Sequence, residues 1–142
     1  MESSRVTRIG KWYTFAAAHQ LYDNNLSEQA NEELFGKCFR LHGHNYQVRV
    51  EVMSAFLEHG MVLNYYVLDD IVQEHVLNRY DHQFLNDMSE FEDTLTTAEN
   101  LVDQIADLLH PFINRYGPSG HKANLSELEV REGERSYAII TY

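Results

Sequence analysis

Tyr46, Val48, Val50 and Val52 alternate strictly with Gln47, Arg49 and Glu51. A period of two puts every apolar side chain on one face of a strand and every polar one on the other. Such a strand cannot stand alone. It needs neighbours on its edges and a cover over its apolar face.

The rest of the chain supplies both. Residues 6–17 are rich in β-branched and aromatic side chains and read as a first strand, which His19 ends. Residues 21–37 are polar and rich in Asn and Glu, a loop or a short helix. After Gly60-Met-Val-Leu-Asn64, the residues Val67, Leu68, Ile71, Val72 and Val76 recur at helical spacing. A second helix starts near Thr97, where Thr96-Thr97-Ala98-Glu99 matches a capping box. Its apolar stripe is Leu101, Ile105, Leu108, Leu109, Phe112 and Ile113, and Pro118 and Gly120 close the region. Residues 125–132 and 136–142 read as two last strands joined by a turn at Gly133. The order strand, strand, helix, helix, strand, strand predicts an α+β fold, a four-stranded antiparallel sheet with two helices on one face. Residues 1–142 make one domain, with no repeat or linker. The open sheet edges invite edge-to-edge assembly.

Composition narrows the function. A formal net charge of −11 argues against a nucleic-acid partner, which calls for a basic face. No apolar run approaches the roughly 18 to 20 residues of a membrane span, and residues 1–8 lack the apolar centre of a secretory signal. With one cysteine, Cys38, no intrachain disulfide can form, and a cytoplasmic location is expected.

Eight histidines are many for 142 residues. His42-Gly43-His44 opens the second strand, where i and i+2 side chains point the same way and can face one ion. His19 falls at the same sheet end if the first two strands are neighbours. Three neutral imidazoles suit Zn²⁺ and leave a position open for a substrate, although His-x-His by itself also describes two ordinary surface histidines. Cys38 has three readings: a further zinc ligand, a small buried side chain, or a thiol activated by the charges of Lys37 and Arg40. Asp81-His82 can pair a carboxylate with an imidazole, but an isolated Asp-His is usually a solvated turn.

Five blocks in order resemble a known family: Phe15-Ala-Ala-Ala-His19, Cys38-Phe-Arg-Leu-His42-Gly-His44-Asn-Tyr46, Gly60-Met-Val, Asp81-His82-x-x-Leu85-Asn86 and Thr97-Ala-Glu99-Asn100. Together they look like the pyruvoyl-tetrahydropterin synthase family, which includes the queuosine-pathway carboxy-tetrahydropterin synthases. The resemblance implies a T-fold and a homohexamer, a dimer of trimers with active sites between subunits. It implies a zinc-dependent lyase acting on a small-molecule substrate, 7,8-dihydroneopterin triphosphate. His19, His42 and His44 are then the zinc ligands and Cys38 the general base. Asp81 and His82 form a second proton relay that reaches the site from a neighbouring subunit. Glu132 anchors the pterin, with Thr97 and Glu99 in support.

The branch is mixed. Three residues between Cys38 and His42 resemble the queuosine type, which loses acetaldehyde and leaves 6-carboxy-tetrahydropterin. Leu34-Phe-Gly-Lys-Cys38 and Val62-Leu-Asn64 look more like the biopterin type, which keeps a pyruvoyl group. The cysteine spacing favours the queuosine product; a hydroxymethyl pterin is a related outcome. A different class remains beside these, a non-catalytic zinc- or pterin-binding T-fold protein. One departure stands out: Gly133 occupies a position where the family usually has Thr.

Overall fold

The computed structural model describes residues 5–116 and 122–142. The expected helix stop at Pro118 and Gly120, and half of the 1–8 segment, lie outside these residues. Strand β1 (Thr7–His19) and strand β2 (His42–Ser54) pair antiparallel along their whole length, from Thr7 opposite Ser54 to His19 opposite His42. The alternation in β2 holds to the residue, with Tyr46, Val48, Val50 and Val52 all at 0% exposure.

Between β1 and β2 lies helix α1 (Glu28–Phe35), followed by a 3₁₀ turn over Gly36–Phe39. Its apolar face is small. The helix is held instead by Asn31, which is fully buried and donates to the carbonyls of Asp23, Leu26 and Ser27 while accepting from the Asp23 amide. After β2 come α2 (Tyr65–Val72), capped by Asn64, a π-turn over Gln73–Leu77 and a last short turn α3 (Asn78–Tyr80). Leu68, Ile71, Val72 and Val76 are buried, as their spacing implied.

The sheet departs from the expected four strands. Gln83 and Phe84 form a two-residue strand, β3, parallel to Ala17 and Ala18 of β1. With β4 (Asn124–Glu132) and β5 (Ser136–Thr141) the sheet has five strands in the order β3-β1-β2-β4-β5. Two residues cannot show an alternation, so nothing in the side-chain pattern announces β3.

Helix α4 (Ala98–Ile113) lies over the sheet through Leu101, Ile105, Leu109 and Ile113, joined by Val102 and Ala106. Leu108 and Phe112 are only partly buried against the core. The capping box is shifted by one residue. Thr97 is the N-cap and accepts from the Asn100 amide at 3.2 Å, whereas Thr96 is buried and turned elsewhere. Among the described residues no helix is long and apolar enough to cross a membrane.

On the sheet face away from the helices, polar side chains pair with one another. Arg49 donates to Glu51, Glu127 and Glu129, and Arg131 donates to Glu129 at 2.6 Å. Both guanidinium groups lie over the ring of Trp12.

Candidate metal centre and active site

The full-length pairing of β1 with β2 decides the site. His19 stands directly across from His42, and Ala17 across from His44, so all three imidazoles share the helix-facing side at one end of the sheet. Their ring centroids lie 4.5, 4.9 and 5.1 Å apart, and one nitrogen from each lies within 4.8 Å of the others.

Hydrogen bonds fix the tautomers. His19 Nδ1 donates to the Thr96 carbonyl at 2.7 Å, and His42 Nδ1 donates to the Arg40 carbonyl at 2.6 Å. A carbonyl can only accept, so the proton sits on Nδ1 and Nε2 keeps a lone pair. An outward nitrogen tied to a carbonyl is the usual support of a metal-binding histidine. His19 Nε2 and His44 Nε2 are buried without a hydrogen-bond partner. Such orphaned atoms cost about 1–3 kcal/mol each unless something occupies them. Burial holds the imidazole of His19 neutral, its pKa lowered to about 4, and burial with the neighbouring His42 lowers that of His44. Neutral imidazoles are what a cation requires. These three residues fit a divalent metal ion.

Tyr46 and Glu132 line the same side. They are cross-strand partners, and Glu132 Oε2 lies 3.9 Å from His44 Nε2. The Tyr46 ring packs edge-on against His19 and His44, and its hydroxyl is buried without a partner. Burial raises the Glu132 carboxyl, Glu99 raises it further, and His42 opposes them. Glu99 is thus electrostatically close to Glu132 from an exposed position on the first turn of α4. Thr97 spends its hydroxyl on the helix cap.

Gly133, directly after Glu132, has φ +74°. A β-branched Thr would be strained there, which accounts for the glycine in this turn.

Cys38 sits in the 3₁₀ turn before β2. Its carbonyl accepts from the Leu21 amide at 2.8 Å, which staples the turn beside the end of β1, and its thiol is exposed. Tyr22 stacks on Phe39 across the same junction.

Asp81 and His82 do pair, Asp81 Oδ2 to His82 Nδ1 at 2.9 Å. Adjacent residues manage this because His82 adopts φ +61°, in the left-handed region. Asp81 Oδ1 accepts from the Ala16 amide and the His82 amide donates to the Ala16 carbonyl, so the pair is bolted to the edge of β1. The His82 side chain is 82% exposed. Among the described residues no hydrogen bond or ion pair joins Asp81-His82 to the three histidines. A concavity of about 570 Å³ crosses this edge, lined by Ala16, Ala18, Gly43, Asn45, His82 and Phe84.

Sequence reasoning missed Thr96, Arg40 and Tyr46 as members of the site. The first two act through backbone carbonyls, which no side-chain pattern reveals. Tyr46 was legible only as a core residue.

The family model described as 6-pyruvoyl tetrahydropterin synthase matches residues 8–142. The chain belongs to the 6-pyruvoyl tetrahydropterin synthase family. Among curated members of that family, the 6-pyruvoyl tetrahydrobiopterin synthase of Dictyostelium discoideum is 33% identical over 138 residues, covering 96% of each chain. A 6-carboxy-5,6,7,8-tetrahydropterin synthase from Synechocystis is 38% identical over 95 residues, 63% of this chain and 66% of that one. The solved structure of Caenorhabditis elegans 6-pyruvoyl tetrahydropterin synthase superposes with a TM-score of 0.87 at 27% identity, covering 100% of this chain and 99% of that one. The T-fold expected from the five sequence blocks is therefore the fold observed, with β3 as an addition to the sheet.

Proposed function

We propose that this chain is a zinc-dependent 6-pyruvoyl-tetrahydropterin synthase, a lyase that eliminates triphosphate from 7,8-dihydroneopterin triphosphate. The observation that carries the catalytic reading is the triad of His19, His42 and His44, with its buried, unpartnered nitrogens facing inward and two of the outer nitrogens held by carbonyls. Bound there, zinc supplies a Lewis acid for the hydroxyl groups of the substrate's side chain.

The chain's own residues do the rest. Glu132 receives the N–H edge of the pterin ring, a two-point contact that fixes its orientation. Glu99, whose charge acts on Glu132, and Thr97 at the start of α4 serve as supporting pterin contacts. Cys38 serves as the general base that removes and returns the protons of the side-chain carbons. In the Asp81-His82 pair the carboxylate holds Nδ1–H, which leaves Nε2 free to exchange a proton. Its exposure on a sheet edge suits service to a neighbouring subunit in a homohexamer of two trimers. The edges support that assembly: β3 covers β1 only at Ala17 and Ala18, and β5 exposes Tyr137 and Ile139.

The pyruvoyl product is favoured by the D. discoideum relative, which spans nearly the whole chain, against a carboxy-forming relative that matches under two thirds of it. The short Cys38-to-His42 spacing and the shorter matches to carboxy-tetrahydropterin synthases speak for the carboxy product of the queuosine pathway. Incubating zinc-loaded protein with dihydroneopterin triphosphate and identifying products by mass decides between them. A pyruvoyl pterin without acetaldehyde supports the proposal, and a carboxy pterin with acetaldehyde overturns the branch. Cys38→Ala tests catalysis against mere binding: turnover should fall at least about 100-fold while zinc and pterin are retained. Unchanged turnover would remove Cys38 as the base, and no turnover in either form with zinc and pterin retained would indicate a binding protein.

A further inference from the structure

His19 differs from the other two histidines because its support comes from far along the chain. Its ring is fixed by a carbonyl 77 residues away, and the strand that carries it ends at that residue. The ring of His19 and the main chain beside it both need an anchor, and one residue contacts both of the groups that supply them. Asn86 accepts from the Gln20 amide at 2.9 Å and donates to the Gln20 carbonyl at 2.7 Å, clamping the main chain one step past His19. The hydroxyl of Thr96, whose carbonyl orients the His19 ring, turns to this same pair, 3.2 Å from the Gln20 carbonyl and 3.5 Å from Asn86 Oδ1.

Resting on the metal-centre reading above, we infer that Asn86 is a positioning residue for the metal centre, locking the backbone and the ring acceptor of His19 into one frame. The amide suits this task. It replaces the strand partner that Gln20 lacks beyond the end of β1, by offering one acceptor and one donor in a single plane. Asn86 touches none of the three imidazoles, so its effect on the metal passes entirely through His19. Second-layer partners of this kind typically change metal affinity by about 10–100-fold.

The test uses full-length protein with Co²⁺ or Zn²⁺ as the probe, against a competing chelator. Asn86→Ala should weaken metal binding by about 10–100-fold and alter the ligand-field bands of the Co²⁺ form. Asn86→Asp keeps the acceptor but sets a carboxylate against the Gln20 carbonyl, and should lose nearly as much. Thr96→Val keeps the carbonyl and loses only the hydroxyl tie, so a smaller loss is expected, and this variant serves if Asn86→Ala does not fold. Ile113→Val, in the core, is the control for general loosening. Wild-type affinity and Co²⁺ spectrum in Asn86→Asp and Thr96→Val would overturn the inference, as would an equal loss in Ile113→Val. Failure of the wild type itself to bind metal would instead overturn the metal-centre reading.

Discussion

Strand β2, with β1 on one side and β4 on the other, carries polar groups on both faces, and the two sets behave in opposite ways. On the outer face Arg49 and Arg131 meet Glu51, Glu127 and Glu129, with every guanidinium engaged and both lying over Trp12. On the helix-facing side His19 and His44 keep buried nitrogens without partners, and the Tyr46 hydroxyl beside them has none either. A set that satisfies itself contributes structure. A set that leaves lone pairs converging on one point, while fastening its outer atoms, is arranged for something that arrives later. Substitutions on the two faces should therefore have opposite signatures.

The largest expected effect is on the histidine side. His44→Leu should weaken zinc binding at least about 1,000-fold, since it removes one of three protein ligands and structural zinc in zinc-finger peptides binds with about 10–16 kcal/mol in all. The metal-free protein should keep its stability or gain up to about 1–3 kcal/mol, because a buried, unpartnered polar atom is exchanged for an apolar one. Chelator competition and denaturant unfolding of the apo-protein check the two halves. A large loss of apo stability would break the contrast.

Acid should act on the same region. His19 is buried and neutral, with a folded pKa of about 4 against 6.5 in the unfolded chain. The unfolded state therefore takes up a proton first as pH falls. Stability of the metal-free protein should decline from about pH 6.5 towards pH 4, by roughly 3 kcal/mol, and this contribution should level off below. His19→Phe should flatten that part of the profile.

On the outer face the order reverses. Glu129→Ala leaves Arg131 without its carboxylate and removes one partner of Arg49, and should cost about 1–3 kcal/mol with metal affinity unchanged. Trp12→Leu, which removes the ring beneath both cations, should cost about 0.5–1 kcal/mol and likewise leave the metal alone.

What the sequence disclosed follows the same physical line. Wherever side chains point alternately or helically into an apolar core, the pattern was readable: β2 to the residue, and α4 through Leu101, Ile105 and Leu109. Features made by backbone or buried polar groups were not. Helix α1 hangs on Asn31 rather than an apolar stripe. Strand β3 is two residues of main-chain pairing. The cap at Thr97 was misplaced by one residue because Thr96 meets the same rule, and only its burial near His19 and Gln20 breaks the tie. In the site, strand periodicity brought His42 and His44 together, whereas the carbonyl supports and the Asn86 clamp depend on contacts more than 60 residues apart, except for Arg40.

X-ray absorption at the zinc edge of the loaded protein tests the contrast most directly. One zinc per chain with a shell of nitrogen and oxygen donors at about 2.0–2.1 Å, histidine scattering included, is the expected result, and Cys38 stays free as a base. A sulfur neighbour at about 2.3 Å would make Cys38 a ligand, and a shell without histidine would contradict the assignment of this centre.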